Sequence, residues 1–279
     1  MTVEAAKTQY REQFISAFET RISIFRTMAT KEVMRSGNQA TFLVSGSGSD
    51  TAVTRGVNGM IPYGNPTNTQ VSATLVEKHA PYELTQFNIF ASQGDQKRIM
   101  QMNSMAVINR DIDSTCLTEL ASATIDTGAS TTASLAMVEK SKAYLGAQSV
   151  PIEEEDNMFG VISPGFRAYL MQTTERVSGD YVDIKPFNGP TRRMWRWDGI
   201  NWWVTSQISG LGTATELCYM FHRDAFGYAV NIGEDSVELG YDPKQHSSWS
   251  RATIYHAAKI LQNTGIVQMK HDGSAFALS

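Results

Sequence analysis

The five histidines of the chain are the first candidates for catalysis or metal binding. They are scattered through the sequence, at His79, His222, His246, His256 and His271. None forms an HExxH pair, and none has cysteine partners at zinc-site spacing. The stretch His222-Arg223-Asp224 matches the start of a kinase catalytic loop, but Ala229 stands where the required asparagine would be. We therefore interpret the histidines as structural.

Three further motifs also fall short of an active site. Ser163 lies between Gly160 and Gly165, which is one residue too long for a GxSxG nucleophile elbow. The stretch Gly46-Ser47-Gly48 follows a predicted strand but lacks the third glycine and the helix of a phosphate-binding loop. The acidic run Glu153–Asp156 is more typical of a solvated loop than of a cation site. The sequence thus predicts no catalytic residue, no cofactor and no metal site.

The clearest local signal is the stretch RRMWRWDGINWWVTSQ around Asp198-Gly199, a strong two-residue hairpin turn. This turn predicts the cross-strand pairs Trp197–Ile200, Trp195–Trp202 and Met194–Trp203. A stacking platform for sugars or bases is one interpretation. Tryptophans on both faces favour the other, which is burial of Trp195 and Trp202 between layers. The neighbouring basic cluster contacts either a phosphate or an acidic neighbour, and consists of Arg192, Arg193 and Arg196.

The composition is that of a globular protein. The chain has 279 residues, of which 42% are hydrophobic and 19% charged, a length that suits one large domain or two lobes. The formal net charge of −4 argues against a dedicated nucleic-acid binder. Cys116 and Cys218 lie far apart in apolar surroundings, which predicts buried free thiols in a protein made in a reducing cytoplasm. We expect neither a signal peptide nor a membrane-spanning segment.

The longest helical signal runs from Asp95 to Ala123. Its apolar residues recur every three or four positions, at Ile99, Met102, Met105, Ile108, Ile112, Cys116 and Leu120. Charged residues, Asp113 among them, mostly fall off this stripe. Ser92 and Asp95 resemble a capping box, and Thr127-Gly128 is the predicted stop. A helix of roughly 40 Å that is apolar on one face needs a broad surface to lie against.

The chain before this helix predicts an arm and an extended loop. Residues 3–29 have a helical stripe that includes Tyr10, Phe14, Phe18, Phe25 and Met28, and fit an arm on another surface or a helix on its own domain. A strand is expected over Thr41–Val44. Turn-forming residues then recur from Ser45 to Pro66. We interpret 46–80 as a two-stranded excursion, sparse in apolar residues, that needs a neighbouring molecule to lie on.

The remaining segments predict a mixed α+β lobe. We expect short strands at Ala52–Thr54 and Tyr82–Phe90, a helix over Thr131–Leu145, and a strand at Met158–Ile162 leading into a helix at Phe166–Gln172. Later strands are predicted at Glu216–Phe221 and Ser236–Tyr241, with a short helix or turn at His222–Val230. The end of the chain has two apolar segments separated by Asn263-Thr264-Gly265, and the first of them fits helix or strand.

This order of elements resembles the major capsid proteins of tailed bacteriophages with the Hong Kong 97 fold. The ending AAKILQNTGIVQMKHD, Ala257–Asp272, is similar to the closing segment of podovirus-type capsid proteins. The resemblance covers essentially the whole chain. It implies an α+β fold with an N-terminal arm at 1–45, an extended loop (E-loop) at 46–90, a P-domain at 91–130 and 216–265 with the spine helix 95–123, and an A-domain at 131–215 and 266–279.

The resemblance also implies a function and partners. The protein would self-assemble through hexamers and pentamers into the icosahedral shell that encloses viral double-stranded DNA, without sequence-specific DNA binding. No built-in scaffold segment is recognised, so a separate scaffolding protein is implied, together with a portal and a candidate decoration protein. The expected assembly contacts are Arg55, Asn58, Tyr63, Gln70, Tyr10, Phe14 and Phe18. The alternatives are a soluble α+β enzyme or a carbohydrate-binding module with a dispersed site.

Overall fold

The computed structural model describes residues 22–47, 50–91, 96–173, 194–233 and 236–276. Its helices are α1 Gln86–Ala91, α2 Gln96–Leu120, α3 Leu135–Ala147 and α4 Pro164–Gln172. Its strands are β1 Thr30–Met34, β2 Gln39–Gly46, β3 Thr67–Thr74, β4 Val76–Thr85, β5 Met158–Ile162, β6 Met194–Trp197, β7 Ile200–Val204, β8 Glu216–His222, β9 Phe226–Asn231, β10 Ser236–Asp242, β11 Ser247–Ile260 and β12 Ile266–His271. The predicted α+β class is confirmed.

The strands form two larger sheets and one ribbon. In the first sheet the order is β1-β9-β11-β10, and β4 also pairs with β11. The second sheet has the order β12-β8-β5-β7-β6. Strands β2 and β3 pair only with each other and make the ribbon. The ribbon is the part of the fold that leaves the two packed sheets.

Helix α2 is the predicted spine, about 37 Å long, and it lies on the first sheet. Ile108, Ile112, Cys116 and Leu120 are buried as the stripe predicts. The predicted burial is wrong for residues near the start of the helix and for one charged residue. Met102 remains 41% exposed, while Met100, Ser104 and the charged Asp113 are buried instead. The helix turns its Ser104 hydroxyl toward that of Ser250 in β11, 3.4 Å away, so a polar contact occupies part of the buried face.

The predicted stop of the spine helix at Thr127-Gly128 is wrong, because α2 ends at Leu120. The side-chain amide of Gln268, in β12, donates hydrogen bonds to the carbonyls of Leu120, Ala121 and Ala123, at 3.3, 2.9 and 2.9 Å. These bonds satisfy carbonyls that the end of a helix leaves without partners. Gly128 has a φ of +97° in the turn that follows. The predicted capping residues Ser92 and Asp95 lie outside the described residues.

Only the last part of the predicted 3–29 helix can be compared, because residues 3–21 lie outside the described ranges. Residues 22–29 form turns instead of a helix. Ile24, Phe25 and Met28 are nevertheless fully buried. The turn is held by Asp113, whose carboxylate accepts hydrogen bonds from the Ser23 hydroxyl and the backbone N–H of Ile24. A buried acceptor on the spine helix therefore replaces helical hydrogen bonds here.

The tryptophan hairpin has the predicted register. Trp195 pairs with Trp202, Trp197 with Ile200 and Met194 with Trp203. Asp198 and Gly199 both have positive φ, 54° and 71°, as a two-residue turn of this kind requires. The Trp202 ring is fully buried, and its indole N–H donates to the Trp197 carbonyl at 3.1 Å. Trp195 is half-buried beneath the Arg167 guanidinium. A stacking surface built on Trp202 is therefore not available to a sugar.

Several other segments differ from their predictions. Strand β4 ends at Thr85, and 86–91 is helical, so the strand predicted over Tyr82–Phe90 is wrong in its second half. No strand forms at 52–54. A 3-10 turn, Arg223–Ala225, and then β9 replace the short helix or turn expected over His222–Val230. The ambiguous segment near the end of the chain is the strand β11. Among the described residues, no helix has the length and apolarity needed to cross a membrane.

Candidate assembly surface

The ribbon is anchored at its base and projects from there. Its eight residue pairs run from Gln39–Thr74 to Gly46–Thr67, a length of about 25 Å. At the base, Ala40 and Phe42 pack with alanines of β3, β9 and β11. The Phe42 ring lies so close to Gly227 that a Cβ there would be 3.0 Å from it. This small cluster fixes where the ribbon leaves the first sheet.

Burial by the subunit ends partway along the ribbon. Every described residue from Ser45 to Gln70 is exposed. The loop nevertheless carries large apolar side chains within a short stretch, at Val53, Val57, Met60, Ile61 and Tyr63. Single exposed apolar residues are ordinary on protein surfaces, whereas a cluster marks an interaction site. The sequence analysis described this excursion as sparse in apolar residues and missed the cluster. The stretch Val57-Asn58-Gly59-Met60-Ile61, with three large apolar residues in five, could have indicated it.

The tip of the loop is a closed turn. The Gly56 N–H donates to the Met60 carbonyl at 2.9 Å, and the Gly59 N–H donates to the Gly56 carbonyl at 2.8 Å. The Arg55 guanidinium donates to the Gly59 carbonyl at 3.2 Å. Gly59 has a φ of +74°, which favours glycine. The tip therefore presents its apolar side chains from an ordered backbone.

The predicted contact residues occupy different parts of this projection. Arg55 and Asn58 come together at the tip, Tyr63 lies on the returning limb at 96% exposure, and Gln70 lies on the ribbon facing Thr41. All four are exposed. Tyr10, Phe14 and Phe18 lie outside the described residues. The structure thus places the four loop residues on the same exposed projection, and their role in assembly stays a prediction.

A family model described as phage capsid protein matches residues 3–273 of the chain. The chain belongs to this family. It is a major capsid protein, which forms the shell of the virion. A search of the curated proteins gave no match.

Solved structures agree with this capsid assignment. A chain from Mycobacterium phage Che8 has a TM-score of 0.73 and 16% identity, over 95% of this chain and 97% of that one. The capsid of Ralstonia phage GP4 gives 0.72 at 11% identity, over 95% of both chains. The capsid of cyanophage P-SCSP1u gives 0.70 at 12% identity, over 97% and 94%. At such identities the likeness shows the fold, and the predicted Hong Kong 97 type is confirmed.

The other candidate sites of this capsid protein have structural explanations. Arg196 forms ion pairs with Glu155 and with Asp156, so an acidic neighbour is its partner. Arg192 and Arg193 lie outside the described residues. The His222 ring accepts the N–H of Asp224 at 3.2 Å, and Ser163 caps α4. Within the described ranges, no three His, Cys, Asp or Glu side chains are grouped for a metal ion.

Shifted pKa values in the described residues follow from packing. A hydrogen bond from His256 and the nearby Lys78 ammonium hold the pKa of Asp111 below its usual value. These contacts join α2 to β4 and β11. Burial raises the pKa of the Cys116 and Cys218 thiols, which keeps both protonated and unreactive. These shifts therefore mark contacts between elements of the fold.

Proposed function

We propose that this capsid protein assembles as hexamers and pentamers, and that its extended loop lies over an adjacent subunit. The observation that carries the proposal is the cluster of exposed apolar side chains on a ribbon anchored only at its base. Fully burying one Val, Ile or Met side chain contributes about 1.5–3 kcal/mol. Because these side chains keep between 48% and all of their surface exposed in the subunit, most of that stabilisation becomes available on assembly.

The two sheets support a division of the subunit into the proposed domains. The first sheet and α2 correspond to the P-domain at 91–130 and 216–265, and the second sheet corresponds to the A-domain at 131–215 and 266–279. The sheets favour three adjustments. Strand β8 pairs with β5 and β12, which supports assigning it to the A-domain. Strand β4 pairs with β11, which supports assigning it to the P-domain instead of the E-loop at 46–90. Strand β1, within the arm proposed at 1–45, pairs with β9, which supports assigning it to the P-domain as well.

The proposed role is structural: the shell encloses double-stranded DNA without sequence-specific binding. The net charge of −4 supports a shell that surrounds DNA without binding it tightly. We infer partners of three kinds, namely a scaffolding protein, a portal and a decoration protein. We also infer synthesis in the host cytoplasm, followed by residence in the virion.

Shortening the loop tests the proposal. Replacing Val53–Tyr63 with a short Gly-Ser linker keeps every pair of the β2–β3 ribbon. We expect a folded subunit with a melting temperature near that of the parent, since the removed residues are exposed, and no shells by electron microscopy. The control is Ile108→Pro in the middle of α2, which should cost about 3 kcal/mol or more and damage the fold itself. Intact shells from the shortened protein would refute the proposed role of the loop.

A further inference from the structure

A small groove opens beside β10, an edge strand of the first sheet. Strand β11 contributes to this groove through Trp249 and to the base of the ribbon through Ala257. These two positions are about 27 Å apart along the strand. One subunit therefore carries a projection near one end of β11 and a recess near the other.

The groove is lined by apolar side chains and one cation. Met100 is buried, Leu239 is 52% exposed and Tyr241 is 48% exposed. Lys97 lies among the lining residues. The groove has a volume of about 270 Å³.

One stretch of the loop has the complementary chemistry. Ile61 precedes a proline, which favours an extended backbone, and in an extended chain Ile61 and Tyr63 point to the same side. Next to Tyr63, the Asp50 carboxylate lies against Gly64. Within the described part of the chain, neither the Asp50 carboxylate nor the Lys97 ammonium forms an ion pair. The loop thus offers two apolar side chains and an anion, and the groove offers an apolar lining and a cation.

We propose that Ile61 and Tyr63 of one subunit insert into the groove of a second copy, where Asp50 pairs with Lys97. This inference rests on the proposed function of the loop and adds the surface that receives it. The projection and the recess are different patches of one chain, so their contact is heterologous. Repeated heterologous contacts of this kind close into rings when the rotation allows it.

Engineered cysteines test the contact directly. The variant Tyr63→Cys/Leu239→Cys is assembled and oxidised, and we expect covalent multimers on a non-reducing gel. Both native cysteines are buried, so we expect no disulfides between them and the engineered cysteines. The matched control is Tyr63→Cys/Ser114→Cys, since Ser114 is exposed on α2 about 21 Å along the helix from Met100. We expect no multimers from this control or from either single variant.

A charge exchange tests the Asp50–Lys97 pair independently. It also tests the proposed contact if the cysteine variant does not assemble. Lys97→Glu and Asp50→Lys should each raise the subunit concentration needed for assembly several-fold, and the double variant should return it to the parent value. Lys244→Glu, in the exposed β10–β11 turn outside the groove, is the control and should behave as the parent.

The outcomes separate this inference from the proposed function. Normal shells without cross-links, combined with tolerance of Lys97→Glu, would overturn the groove as the docking surface. If shortening the loop still abolishes shells in that case, the loop docks elsewhere and its proposed function stands. Intact shells from the shortened protein would refute both the proposed function of the loop and its docking in the groove.

Discussion

Removal of the Asp113 carboxylate should release the turn at residues 22–29 from the spine helix. Asp113 is completely buried, and its Oδ1 accepts the Ser23 hydroxyl at 2.6 Å. The same oxygen accepts the backbone N–H groups of Ile24 at 3.0 Å and Phe25 at 3.4 Å. The turn leads directly into β1, so this carboxylate fixes the point where the chain enters the first sheet.

The magnitude follows from these three donors. A hydrogen bond to a charged group contributes about 1.5–3 kcal/mol net, and a buried donor that loses its acceptor costs about 1–3 kcal/mol. The Phe25 bond is long, and desolvation of the carboxylate offsets part of the gain. We therefore expect Asp113→Ala to lower the free energy of unfolding by about 3–5 kcal/mol. Asp113→Asn keeps one acceptor oxygen and should cost about 1–2 kcal/mol.

Urea unfolding followed by tryptophan fluorescence measures the effect, in the shortened-loop background so that assembly does not contribute. Ser114→Ala, on the next residue of the same helix but exposed, is the control and should lie within about 0.5 kcal/mol of its parent. An Asp113→Ala protein as stable as this control would show that the carboxylate does not hold the turn, and the reasoning from its hydrogen bonds would be refuted.

Two further predictions concern the sheets. Trp202→Ala removes a fully buried ring that packs against Trp197 and should cost about 3–5 kcal/mol by chemical denaturation; parent-like stability with loss of sugar binding would instead favour a carbohydrate site. Contacts with His256 and Lys78 hold the pKa of Asp111 in the folded protein below its unfolded value of about 4. The Asp111 carboxylate therefore stabilises the fold above about pH 4. This contribution is lost as the pH falls through the lower, folded pKa. The unfolding free energy of the parent should therefore fall more steeply below about pH 4 than that of Asp111→Asn, and equal slopes would contradict the assignment.

The sequence alone determined features whose cause is local. The Asp198-Gly199 turn sets the register of the tryptophan hairpin, because two residues with positive φ permit only a narrow set of strand pairings. The helix predicted at Phe166–Gln172 is also present as α4, which begins two residues earlier, at Pro164, behind the cap Ser163. The turn residues also indicated the excursion predicted at 46–80, although its outgoing strand β2, Gln39–Gly46, lies before that range. With the order of elements, the excursion indicated the capsid family.

Only the tertiary structure decided features that depend on residues distant in sequence. The end of the spine helix and the turn after it are held by Gln268, which donates hydrogen bonds to the carbonyls of Leu120, Ala121 and Ala123. Asp113 is buried because the turn at Ser23–Phe25 brings three donors to it, and a helical pattern counts any such charge as solvent-facing. The Trp249 ring lies over Gly240 because strand pairing brings the two residues together. In each case the deciding partner is distant along the chain, where the periodicity of a single segment carries no information about it.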